Sequence, residues 1–183
     1  MSKSAGEPQA KSSAYHHGDL SASALTAALR ALETDGAEAL SLRKLAAELG
    51  VTHRALYRHY PDKAALIAAA AEEGYRRLTD EASADGKDAA GFARAYIRFA
   101  LARPGLYAVM MAAPSGEKPE GLYRAIGDLI RAAKEAFGDD LAVKRAWTIL
   151  HGGVSLHQAG AYAARSEEEL GDFLLTLAGI EEM

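Results

Sequence analysis

The chain has 183 residues, is 49% hydrophobic and 25% charged, and carries a formal net charge of -4 with no cysteine. That composition suits one ordinary globular domain or two small ones. Without Cys there can be no disulfide, thiolate metal site, Cys nucleophile or thiol redox sensor. The sequence has no run of eighteen apolar residues and no apolar signal-peptide core near its start, so a cytoplasmic protein is expected.

Charge is unevenly spread. Residues 1–63 hold eight Lys/Arg against seven Asp/Glu, while the remainder is acidic. A locally basic segment in an acidic chain points to an anionic partner at that end.

Residues 1–14 lack periodicity and read as a disordered tail. A first helix is predicted from about Leu20, capped by Asp19 or Ser21, with Leu25, Leu29 and Leu32 as its apolar stripe and Asp35-Gly36 as its stop. Ser41 caps a short second helix, Leu42 to Leu49, whose Leu42, Leu45, Ala46 and Leu49 share one face. Gly50-Val51 forms a tight turn. Thr52 caps a third helix to about Tyr60, which Pro61-Asp62 breaks. Asp62 caps a long helix over 62–81. After Asp85-Gly86, helices are predicted at about 88–102, 105–112, 120–137, 140–165 and 167–180. Their breaks are Arg103-Pro104-Gly105, Pro114-Ser115-Gly116, Gly138-Asp139-Asp140 and Arg165-Ser166. No alternating strand pattern is present, so the expected fold is all-α with about nine helices. The expected organisation is a helix-turn-helix domain over 15–63, the linking helix over 62–81 and a helical domain over 87–183.

On a helical wheel of the third helix, Leu56 and Tyr60 point inward together. Arg54 and Arg58 lie nearly opposite and project outward. A tight turn between two short helices with buried aliphatics on both sides is a helix-turn-helix, whose second helix enters the major groove. Arg54 suits the O6/N7 edge of guanine, and the small Ala55 allows close approach to a thymine methyl. His53 can meet a base edge or a phosphate. Tyr57, His59 and Lys63 are donors suited to phosphates, and Arg58 adds an outward cation. Ser41 opens a helix N-terminus that favours an anion, and Arg43 can reach a phosphate or a base.

The run SLRKLAAELGVTHRALYRHYPDKAALI resembles the DNA-binding segment of the TetR family of bacterial transcriptional regulators. Ser41, Ala46, Gly50, Val51, Thr52, Leu56, Tyr57, His59, Tyr60 and Lys63 match its pattern, over roughly residues 16–66. Tyr60 stands where Phe is commoner, and its hydroxyl needs a partner. The resemblance implies an all-α homodimer that binds a palindromic operator. Its C-terminal domain would bind a small molecule and form the dimer interface. Ala146 to Gly153 also resembles the Trp…His-Gly motif of one TetR C-terminal subgroup. The expected function is a ligand-responsive repressor. A helical adaptor or an activator on the same fold is the alternative.

Candidate ligand residues are Tyr96, Phe99, Arg103, Tyr107, Met110, Met111, Tyr123, Trp147, His151 and Gln158. Trp147, His151, Val154 and Gln158 share one helix face, a mixed polar and apolar lining that suits a ligand. Each of these aromatics and methionines also fits plain core packing. The Gly/Ala-rich stretch 152–164 and the last helix are the expected dimer interface, through Gly153, Leu156, Gly160, Leu170, Phe173, Leu174 and Leu177. No HExxH pair, glycine-rich phosphate loop or G-x-S-x-G elbow is present, and His151 and His157 face differently. Neither an enzyme, a metal site nor a cofactor is expected.

Overall fold

The computed structural model describes residues 17–85, 88–112, 118–162 and 166–180. The expected tail over 1–14 and the break at Pro114-Ser115-Gly116 lie outside these residues. The described residues form nine helices and no strand. They are α1 (His17–Ala39), α2 (Leu42–Glu48), α3 (His53–Tyr57), α4 (Lys63–Ala84), α5 (Ala89–Ala102), α6 (Pro104–Met111), α7 (Glu120–Phe137), α8 (Asp140–Gln158) and α9 (Glu167–Ala178).

Cap chemistry sets most of the boundaries. Ser41, Thr52, Asp62, Asp88, Asp139 and Ser166 each accept a backbone N–H from the helix they open. Such caps satisfy donors that have no partner inside the helix. Ser166 and Glu169 form a reciprocal capping box.

Three boundaries differ from expectation. α1 begins at His17, so Asp19 and Ser21 lie inside it and neither caps it. Its regular turns do end at Gly36, where φ is 76° and ψ 171°. α3 is five residues long, because Arg58 already serves as its C-cap and the chain turns through His59 to Tyr60. α8 stops at Gln158 rather than near 165. Gly160 takes φ 89°, and the Ala161 N–H bonds back to Leu156 O at 2.9 Å, closing the helix despite the Ala-rich sequence beyond.

α4 is the spine. It packs on α1 on one side and on α5, α6 and α7 on the other. Leu66, Leu78, Leu32, Phe99, Leu106 and Met110 are fully buried along this axis. One continuous core therefore joins α1 to α4 with the C-terminal helices. A core of that kind resists independent motion of its parts, because close-packed interiors transmit displacement.

Candidate DNA-reading surface and apolar cavity

α2 and α3 are held by side chains pointing inward. Leu42, Leu45, Ala46 and Leu56 are buried, and so is Tyr60 just past α3. The Tyr60 hydroxyl bonds to the hydroxyl and carbonyl of Ser21, both at 3.1 Å, which ties the end of the motif to α1. Gly50 turns the chain with φ 66°. Thr52 Oγ1 accepts the Ala55 N–H at 3.2 Å. In a helix this short the cap secures much of the first turn. Thr52→Ala is expected to lower stability by about 1 kcal/mol, measurable by urea denaturation.

The outer side is basic. Arg43, Thr52, His53, Arg54, Tyr57 and Arg58 are exposed, and Ser41, Ala55 and His59 are half-buried. The His53 and Tyr57 rings lie 4.3 Å apart and fix each other's direction. Arg43, Arg54 and Arg58 make no ion pair among the described residues. Every other described arginine either pairs with a carboxylate or, for Arg145, donates to the Ala178 carbonyl. Two acids near them in sequence are already engaged: Glu48 pairs with Arg30 at 2.9 Å, and Asp62 caps α4. Lys63 makes a bond within the chain. It is half-buried, and its Nζ donates to Glu38 O at 2.8 Å, joining the start of α4 to the end of α1.

A cavity of about 350 Å³ lies between α5, α7 and α8. Phe92 and Tyr96 line it from α5, Ile126, Leu129, Ile130, Ala133, Lys134 and Phe137 from α7, and Asp140, Val143, Lys144, Trp147 and Leu150 from α8. Tyr75 of α4 and Met111 of α6 close one end. This volume is within the range of small-molecule sites. A chain of hydrogen bonds runs from the cavity wall inward: Tyr96 OH to Tyr107 OH at 2.7 Å, then Tyr107 OH to His151 Nδ1 at 2.6 Å. With Nδ1 unprotonated, Tyr107 donates to His151 and Tyr96 donates to Tyr107. Burial pushes the Tyr107 phenol up to about 12 and raises the Tyr96 phenol as well, with the neighbouring Tyr107 adding to the effect. Both hydroxyls therefore stay neutral.

Residues 24–70 match the family described as bacterial regulatory proteins, tetR family. Residues 89–177 match the tetracyclin repressor-like C-terminal domain. The chain belongs to the TetR family. It is a transcription regulator with a helix-turn-helix DNA-binding domain followed by a TetR C-terminal domain. A solved structure of a protein with unknown function from Rhodococcus sp. RHA1 is 30% identical, with a TM-score of 0.77 over 93% of this chain and 100% of that one. The TetR family regulator PfmR from Thermus thermophilus shares the fold at 18% identity, with a TM-score of 0.64 over 87% of this chain and 99% of that one. TetR from Acinetobacter baumannii AYE does so at 20% identity, with a TM-score of 0.56 over 90% and 95%. No curated protein matches the chain.

Within this TetR fold, three of the expected ligand residues, Tyr96, Met111 and Trp147, line the cavity. Tyr107 and His151 stand behind the wall in the hydrogen-bond chain. Phe99 and Met110 are core residues, with relative exposures of 0% and 1%. Arg103 pairs with Glu81 at 2.9 Å and covers the Phe99 ring. Tyr123 is exposed on the outer side of α7, and Gln158 donates to Ala100 O from the end of α8. The α7 lining was missed because it reads as an ordinary amphipathic stripe. Among the expected dimer residues, Leu170 and Leu174 are buried within the chain. Gly153 is buried too, and a Cβ on it would fall 2.2 Å from Leu174 Cδ2 of the same chain. These three serve the packing of α8 on α9. Phe173 packs edge-on against Tyr162, Gly160 is an exposed turn residue, and Leu156 and Leu177 face outward.

Proposed function

We propose that this TetR regulator is a ligand-responsive repressor that binds a palindromic operator as a homodimer. The observation that carries the reading is the distribution of arginines. Among the described residues, Arg43, Arg54 and Arg58 are the arginines with neither a carboxylate nor a carbonyl partner, and they lie together on the helix-turn-helix. Unpaired cations gathered on one face suit a phosphate backbone. Arg54, with His53 and Ala55, reads base edges from the start of α3, while Arg43, Tyr57, Arg58 and His59 hold the flanking phosphates and Ser41 opens α2 beside them. A second copy joins through the exposed Leu156 and Leu177 on the outer faces of α8 and α9.

A small, partly apolar molecule in the cavity releases the operator. The coupling element is α6. Its last residue, Met111, lines the cavity, and Tyr75 of α4 donates to Met110 O at 2.9 Å. Its first turn is capped by α1, since Glu33 accepts the Gly105 and Leu106 N–H groups at 2.9 and 2.8 Å. A shift of α6 is thereby passed to α1 and so to α2 and α3. The Trp…His-Gly reading of Ala146 to Gly153 fits this scheme, with Trp147 on the cavity wall and His151 anchoring the hydrogen-bond chain. The protein works without a cofactor, in the bacterial cytoplasm.

The test combines sedimentation equilibrium with anisotropy of a labelled mixed-sequence duplex at several salt concentrations. A dimer at micromolar concentration is expected. If it neutralises about six to ten phosphates, affinity falls roughly a thousandfold or more between 50 and 200 mM salt. A monomer, or binding indifferent to salt, would refute the proposal.

A further inference from the structure

We infer that the cavity takes an amphipathic anion: an apolar body with one terminal carboxylate, seated with the carboxylate at Lys144 and the apolar end against Tyr96. This deepens the repressor reading and rests on it.

The two ends of the cavity differ chemically. From Ile126 to Phe137, α7 runs about 16 Å along the wall at 1.5 Å per residue. Away from the Phe137 end, where Phe92 packs on that ring one turn before Tyr96, the wall holds Tyr75, Tyr96 and Met111. With His151 Nδ1 unprotonated, neither hydroxyl there has a proton to offer: Tyr75 donates to Met110 O, Tyr96 to Tyr107 and Tyr107 to His151. What Tyr96 turns to the cavity is an acceptor lone pair, which repels a carboxylate.

The other end, where α7 gives way to α8, holds Lys134, Asp140 and Lys144. Lys134 and Asp140 pair at 2.7 Å. The Lys134 hydrogen bond and charge hold the Asp140 carboxyl below its usual range, with Lys144 adding to the effect from further off. Asp139 is turned away, capping α8 through the Leu141 and Ala142 N–H groups. Two ammonium groups thus face one carboxylate, and Lys144 has no ion pair of its own among the described residues. The wall between the ends is apolar, so a bound molecule gains by burying hydrocarbon there. Lys144 is the lining cation left over to meet an anionic head.

The test uses Trp147, the one tryptophan of the chain. It lines the cavity yet is 54% exposed, so a ligand that displaces water from it shifts its emission to the blue. The full-length protein is titrated with decanoate and 1-decanol, and with 4-phenylbutyrate and 4-phenyl-1-butanol. Each pair shares an apolar body and differs in charge. The acid is expected to bind about tenfold more tightly than its alcohol in at least one pair. In Lys144→Gln, checked for unchanged thermal unfolding, that ratio falls to within about threefold. Equal binding of acid and alcohol by the unaltered protein overturns the inference, as does a ratio unmoved by Lys144→Gln. A Trp147 signal that none of the four probes moves also overturns it. None of these results bears on operator binding, which is measured on DNA alone, so failure here and failure of the repressor reading are separable.

Discussion

Replacing Arg54 with Ala is expected to cost about 1–3 kcal/mol of operator affinity and to relax preference at one base position per half-site. Arg54 sits in the first turn of α3, exposed and without an acidic partner among the described residues, while Leu56 two residues on is fully buried and fixes the helix beneath it. The side chain makes no contact that folding depends on, so the melting temperature should stay within about 1 °C of the parent, as surface changes remote from structural contacts usually do. Arg58→Ala supplies the contrast. Lying at the end of α3, it should weaken all sequences alike and reduce the salt slope by about 1. Competition binding against duplexes varied one position at a time separates the two. If Arg54→Ala lowers affinity evenly over all of them, Arg54 grips backbone and does not read a base.

Gly105→Ala is expected to damage both stability and control. A Cβ at residue 105 would lie 2.1 Å from Leu32 O and 2.6 Å from Leu32 C, and both are backbone atoms of α1. Neither can rotate aside, so α6 must withdraw from α1. That motion also pulls the Gly105 and Leu106 N–H groups from Glu33. Overpacking of this kind costs about 1–3 kcal/mol, which for a chain of this size lowers the melting temperature by roughly 2–12 °C. Operator affinity, measured well below that temperature, should fall as well, because α6 touches α1 and α1 carries α2 and α3. A melting temperature within about 1 °C of the parent would mean that the two helices adjust freely and that α6 is not the coupling element.

The helix-turn-helix was legible because its signals are local. Ser41 and Thr52 are caps, Gly50 is a turn residue, and the spacing of Leu56 and Tyr60 against Arg54 and Arg58 separates the inner face from the outer within two turns. The need of the Tyr60 hydroxyl for a partner was also readable, though Ser21 as that partner was not, because it lies far off in sequence. The short reach of α3 was hidden, since nothing in Arg58-His59-Tyr60 disfavours helix before Pro61.

The cavity was only partly legible, for a physical reason. A void is a property of how helices sit together, and its wall and the core use the same residue types. Phe99 and Met110 fell to the core, whereas Ile126, Leu129 and Phe137, no different in kind, face the space. Trp147 was expected at the wall from the helix face it shares with His151, Val154 and Gln158, and it does line the cavity. Gly153 was read correctly as a point of close approach, but the group approaching it is Leu174 of its own chain. Small residues announce contact without naming the partner.

If the arginines left unpaired on α2 and α3 serve a two-fold DNA reader, the protein should choose its own operator from random sequence. The decisive measurement is selection of the full-length protein, refolded free of bound ligand, against a random duplex library at roughly physiological salt, where non-specific binding is weak. Enrichment of an inverted repeat is expected, with half-sites about 34 Å apart or a multiple of it, and that enrichment should be lost in Arg54→Ala. A folded protein that enriches no repeat, or enriches the same repeat with Arg54 removed, would contradict the reading of this surface.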